Sequence, residues 1–157
     1  MLISTGPLVA HATMELFTHA PWKHDQRVWM DAEYDYDDVR LTGCVGAWAA
    51  VLAGTVEWRD WDDRTQEGGL THVADGSQVC ADDDRWFEWG RAALDITPSL
   101  ADSLFAAWVG HHAAIEALRD LVDKVDEETI RRRLDRTIVR VPGTRLHLRN
   151  PRGYRRN

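Results

Sequence analysis

The run Gly43-Cys-Val-Gly-Ala-Trp-Ala-Ala-Val-Leu-Ala-Gly54 constrains the fold of this chain most. Its small residues, Ala47, Ala49 and Ala50, let a neighbouring element approach closely, and Gly54 supplies the left-handed conformation that commonly ends a helix. The spacing predicts a short helix over 43–53. Cys44, at its start, is a candidate nucleophile, metal ligand or core residue. A reactive thiolate needs a cationic neighbour or a helix N-terminus, and only the latter is available in the local sequence. Cysteine outside a disulfide is also among the most buried residue types, which favours packing for Cys44 and, after Val79, for Cys80.

Around this run the hydrophobic period changes several times. Leu8, Val9, Ala12, Leu16, Phe17 and Ala20 recur at helical spacing after Pro7, predicting a helix over 7–20. The segment 21–40 carries Trp22, Trp29, Tyr34 and Tyr36 among acids and reads as an irregular excursion anchored by Trp29. Residues around Val56, Leu70–Ala74, the Asp75-Gly76 turn and Val79-Cys80 predict short strands in a small hairpin. Asp82-Asp-Asp84 favours a helix start before Trp86, Trp89, Ala93 and Leu94. Thr97-Pro98 starts another helix, Gly110 breaks the pattern, and Asp126 caps a last helix running to about 137, with Val125 and Ile130 placed as a hydrophobic staple. Beyond it, Val139 and Val141, then Leu146 and Leu148 after Pro142-Gly143, alternate with arginines as a two-stranded basic ribbon would.

The 157 residues fit one domain that needs no covalent staples. Two cysteines at unrelated spacing, no recognisable leader and no span of about 20 apolar residues point to a cytoplasmic protein in a reducing compartment, away from the membrane. The net charge of −7 is strongly partitioned. Residues 1–130 carry 9 Lys+Arg against 25 Asp+Glu, a balance of −16, whereas residues 131–157 carry 10 arginines against one aspartate. The first part reads as an acidic helical domain and the second as a basic helix end, ribbon and tail. Such asymmetry speaks about partners.

Of the seven histidines and two cysteines, His19 and His24 are separated by four residues, a spacing that paired zinc ligands use, with Cys44 nearby if the first two helices pack, but Pro21 and Trp22 interrupt the pair. Asp37-Asp38, Asp62-Asp63 and Asp82-Asp-Asp84 are explained by solvated loops and helix starts. No Walker loop, dinucleotide turn or nucleophile elbow occurs. No cofactor is therefore expected and no catalytic residue assigned. Of the eight tryptophans, Trp48, Trp86, Trp89 and Trp108 fall on helical core faces, whereas Trp58 and Trp61 in Glu-Trp-Arg-Asp-Trp-Asp-Asp stand among charges as interface candidates.

Pro21, His24, Gln26 and Trp29, the Gly43–Gly54 run, and Ile96-Thr-Pro followed by Ala101, Leu104 and Phe105 together resemble a family of small uncharacterised proteins from actinobacteria and their phages. That family reads C-G-T-x-x-C-I-A-G-W-A at its central helix. The resemblance spans roughly residues 8–110. Here the first cysteine of that motif is absent, with Val39, Arg40 and Leu41 in its region, so a two-cysteine metal or redox site is not carried over. The resemblance implies no activity.

The expected fold is mainly helical α+β: a compact helical domain with a small β hairpin insertion and a C-terminal basic ribbon. Its core is expected to include Leu16, Phe17, Trp29, Cys44, Trp48, Leu52, Trp89, Leu94, Leu104, Phe105, Leu118 and Val122. The expected function is that of a non-enzymatic binding module, phage-encoded or phage-derived, engaging a host protein through Trp58, Trp61, Arg140, Arg145, Arg149 and Arg152. One rival is a metal-assisted or cysteine-dependent enzyme using the His24 and Cys44 region; another is nucleic-acid binding through the C-terminal arginines.

Overall fold

The computed structural model describes residues 5–35 and 38–137. Within them the chain is a compact, mainly helical α+β protein with six helices and two antiparallel hairpins. Helix α1 (Gly6–His19) leads through a 3-10 turn (Pro21–Lys23) to strands β1 (Met30–Asp35) and β2 (Asp38–Gly43). Helix α2 (Val45–Leu52) separates this hairpin from a second, β3 (Val56–Asp62) and β4 (Glu67–His72). Helices α3 (Arg85–Leu94), α4 (Pro98–Leu104), α5 (His111–Val122) and α6 (Glu127–Asp135) follow. No helix among the described residues is long and apolar enough to cross a membrane.

Helix α2 is the centre. Val45 to Ala50 are all buried, as its uninterrupted apolar sequence requires. It crosses α3 where two glycines meet: a Cβ on Gly90 would lie 2.5 Å from the Gly46 carbonyl oxygen, so α3 can carry no side chain at the contact. A Cβ on Gly46 would likewise lie 2.9 Å from the Phe105 ring, just after α4. Helix α1 packs on α2, α3 and α5, and α6 packs on α4 and α5. Gly54, past the end of α2, has φ +83° with open space around it, so it serves as the left-handed terminator.

The caps follow the sequence in two places and depart from it in one. Thr97 Oγ1 accepts from the Leu100 N–H at 3.2 Å, and Asp126 accepts from the Thr129 N–H at 3.0 Å. In the acidic run before α3, however, Asp84 makes no capping bond. Asp83 instead accepts from the Arg85 backbone N–H at 2.9 Å and pairs with its guanidinium at 2.8 Å. This pairing holds its carboxyl below the usual carboxylate range.

Four expectations need correction. Residues 30–43 form a regular hairpin and not an irregular excursion, in the register Met30↔Gly43, Ala32↔Leu41 and Glu33↔Arg40. Its acids obscured a two-residue period: Met30 and Ala32 turn inward while Asp31 and Glu33 face solvent. Leu52 is 40% exposed, because it sits on the last turn of α2 beyond the α3 crossing. Leu16, Trp89 and Val122 lie at the edge of the core, while the other residues expected there are buried. Cys80 is exposed where Val79 is buried: the 78–80 segment runs extended beside β4, with Thr71 bridged to Gln78, so successive side chains point to opposite sides. The expected ribbon over 139–149 lies outside the described residues, as do Arg140, Arg145, Arg149 and Arg152.

Candidate functional site

Strand β3 positions both interface candidates. Val56 and Trp58, two residues apart, share its inner face; Val56 is buried and Trp58 packs against the core rim. Strict alternation would then send Trp61 to the opposite face. The pairing is Trp58↔Leu70, Arg59↔Gly69 and, after an irregularity, Asp62↔Glu67. Asp60 and Trp61 thus stand against Gly68 alone, which is the two-against-one arrangement of a β-bulge. The bulge returns Trp61 to the side of Trp58. Gly68 permits it: its φ is +141°, and a Cβ there would lie 2.6 Å from Trp61 Cα.

Together the two rings line an open cleft of about 290 Å³ between the hairpins. β1 contributes Met30, Asp31 and Ala32, β4 contributes Gly68, Gly69 and Leu70, and the following segment contributes Gln78 to Ala81. Gly68 and Gly69 carry no side chain, so β4 meets the cleft with its main chain at those two positions. Its floor is apolar through the buried Met30, Leu70 and Val79. Trp61 is 47% exposed, the rim aromatic most open to solvent. The surroundings are acidic: exposed Asp31, Glu33, Asp38, Glu57, Asp60, Asp62, Asp63 and Glu67 stand on the two hairpins against Arg40, Arg59 and Arg64. Arg59 is already paired with Glu57 at 2.6 Å. The β3–β4 hairpin also borders a second, larger hollow of about 650 Å³, whose lining includes Asp60, Asp62 and Glu67.

A second cluster lies on the helical side. Gln26 Nε2 donates to the carbonyls of Leu104 (2.7 Å) and Ala106 (3.1 Å), which orients its amide and turns Oε1 toward His24 Nε2 at 2.8 Å. His24 Nε2 is therefore the donor of that bond, and in the neutral ring Nδ1 holds the lone pair. His111 Nδ1, at 2.8 Å, donates to it. Both nitrogens of His24 are thus engaged, and its ring stacks on Phe17 at 4.1 Å. Burial holds the His24 pKa below the usual histidine value, against the hydrogen bond His24 donates to Gln26; burial and the neighbouring His112 do the same to His111. The arrangement ties the 21–29 segment to the start of α5 and the end of α4.

The sequence did not bring these residues together, since His24 and His111 are 87 positions apart. Gln26 stood out only within a motif of the resemblance. The candidate ligands His19, His24 and Cys44 do not assemble: His19 pairs with Glu15 at the surface, and Cys44 is buried at the N-terminus of α2. Among the described residues, no group of three or more His, Cys, Asp or Glu side chains converges as a metal site would need. Comparison with protein families, with curated proteins and with solved structures gives no match to this chain, so the cleft and the histidine cluster are read from their own geometry.

Proposed function

We propose that this protein is a non-enzymatic binding module that takes an extended, basic segment of a partner protein into the cleft between its hairpins. The observation that carries this reading is the convergence of Trp58 and Trp61 on one cleft with an apolar floor and with Asp31 in its lining, on hairpins whose exposed residues are mostly carboxylates. Exposed strand edges recognise extended peptides by strand addition, aromatic rings supply the anchoring area, and acidic rims select cations. The resemblance to actinobacterial and phage proteins supplies the setting, a phage or phage-derived accessory protein whose partner is a host protein. Two observations weigh against the enzymatic rival: both ring nitrogens of His24 are engaged, and Cys44 is buried. Nucleic-acid binding through Arg140, Arg145, Arg149 and Arg152 is disfavoured by the −16 balance of residues 1–130, which repels a polyanion at low salt.

The test is a titration with labelled eight-residue peptides alternating valine with arginine or valine with glutamate, read by fluorescence anisotropy. The arginine peptide is expected to bind at least about tenfold more tightly, and Trp61→Ala to remove most of that difference. Equal binding of the two peptides, or indifference to Trp61→Ala, sinks the reading.

A further inference from the structure

We propose that His24 and His111 form an acid-released latch: the pair fastens the 21–29 segment to the start of α5 while the two rings share at most one added proton, and it lets go when they hold two. The latch lies on the helical side and owes nothing to the hairpin cleft.

Gln26 sets the proton positions. It is buried, and its Nε2 donates to the carbonyls of both Leu104 and Ala106, so the amide cannot turn over without orphaning two buried acceptors. Its Oε1 therefore faces His24 Nε2, which carries a hydrogen in every charge state of the ring. His24 can then take a further proton only at Nδ1, the atom that lies 2.8 Å from His111 Nδ1. With both rings neutral, the His111 Nδ1–H donates into that lone pair. With one added proton, a single hydrogen still lies between the two Nδ1 atoms and His111 Nε2 carries the other. With two, each Nδ1 holds its own hydrogen, two charged N–H groups point at each other, and no acceptor remains. Burial disfavours charge on both rings, with His112 adding to it at His111, so the second proton enters below the ordinary histidine value of 6.5.

The groups around the pair leave that repulsion uncompensated. Asp25 favours charge on His24, yet its carboxylate is already held by Arg27 at 3.0 Å, and Lys23 lies over the Trp48 ring. Helix α1 presents the Phe17 ring, stacked on His24 at 4.1 Å, while its His11 and its His19–Glu15 pair are exposed. Helix α2 brings the Val45 N–H to Gln26 Oε1 and the buried Cys44, and the end of α4 brings main-chain carbonyls. Helix α5 adds His112, a further positive ring in acid.

Release is local. The 21–29 segment stays tied to β2 through the bond from the Asp25 N–H to the Gly43 carbonyl at 2.9 Å, and to α2 through the Trp48 indole on the Lys23 carbonyl. Acid therefore frees the seam with α5 and uncovers Phe17, a buried ring that both histidines cover.

Two measurements on the full chain test the latch. Imidazole nitrogen NMR at about pH 7.5 is expected to find His24 protonated at Nε2 and His111 at Nδ1. The opposite tautomer at either ring overturns the inference. Hydrogen exchange read by mass spectrometry, and corrected for the intrinsic pH dependence of amide exchange, then follows the chain down to about pH 4.5. Exchange at 110–118 is expected to accelerate at least about tenfold relative to 45–52 as the second proton enters. Equal protection of the two segments at every pH, or its loss at both together, overturns the inference.

The variant His111→Asn separates the latch from burial of a charge. An asparagine amide at the Nδ1 position can donate to the neutral His24 ring and, turned over, accept from the charged one. His111→Asn is therefore expected to abolish the acid step at 110–118, and a step that survives it overturns the latch. Where that variant does not fold, the tautomers and exchange of the parent chain decide the question.

Discussion

Where α2 crosses α3, Gly46 and Gly90 bring main chain against main chain, whereas between the hairpins an open cleft of about 290 Å³ remains. The helical side is closed further by Gln26, whose amide satisfies the carbonyls of Leu104 and Ala106 while accepting from His24. On the hairpin side the large rings finish at the surface, with Trp58 partly and Trp61 substantially exposed. The difference lies in which residues set the spacing. Small residues let helices collapse onto each other, and a buried amide then removes the remaining polar cost. A bulge and two indoles hold the hairpins at a distance and leave apolar area available to something else.

The largest effect is expected from emptying the closed side. Trp48 is 6% exposed, and its indole N–H donates to the Lys23 carbonyl at 2.8 Å, fastening the 3-10 turn to α2. Trp48→Ala should cost about 3–5 kcal/mol in chemical denaturation. A loss below about 1 kcal/mol would make Trp48 peripheral and erase the contrast between the two sides. Next is the glycine crossing, where Gly90→Ala adds a carbon against the Gly46 backbone. A cost of about 1–3 kcal/mol is expected, although alanine is the better helix former. A stabilised variant would mean that the helices are not in main-chain contact.

Acid should act on the same side with a smaller effect. The folded-state pKa of His24 lies below the ordinary value of 6.5, chiefly through burial, with His111 also lowering it and Gln26 and Asp25 opposing. The unfolded chain therefore binds more protons in the window between the folded value and 6.5. The contribution of His24 to stability is complete above about pH 6.5 and declines as pH falls through that window, by at most about 1.4 kcal/mol per pH unit. Unfolding midpoints taken between pH 7.5 and 5 should show this decline, and His24→Gln should flatten it. A profile that His24→Gln leaves unchanged would assign the acid sensitivity elsewhere. The smallest stability effect is expected on the open side, where Trp61→Ala should shift stability by less than about 0.5 kcal/mol. A loss above about 1.5 kcal/mol would mean that Trp61 holds the bulge rather than offering a surface.

Much of the helical architecture was legible locally. The periods of α1, α5 and α6, the Thr97 and Asp126 caps and the Gly54 terminator all depend on residues within a turn or two of one another. Of the second hairpin, strands near Val56 and Leu70 were legible, whereas the turn expected at Asp75-Gly76 follows β4 and the turn that joins β3 to β4 lies at 63–66. The first hairpin was written in the sequence too, in the alternation of Met30 and Ala32 with Asp31 and Glu33, but its acids concealed the period.

What sequence by itself determined is therefore most of the helices, the Thr97 and Asp126 caps, the small-residue face that invites a close neighbour, and the separation of charge between the two parts of the chain. Tertiary structure alone decided the rest. It made Gly90 the partner of Gly46, set Gln26 beneath His24 and His111, and left Cys80 outward beside a buried Val79. Through a one-residue irregularity it also brought Trp58 and Trp61 to one cleft. Periods and caps are properties of neighbouring residues, fixed by backbone geometry and local hydrogen bonding. Which distant residues meet is fixed by how whole elements pack, and no short window of sequence contains that information.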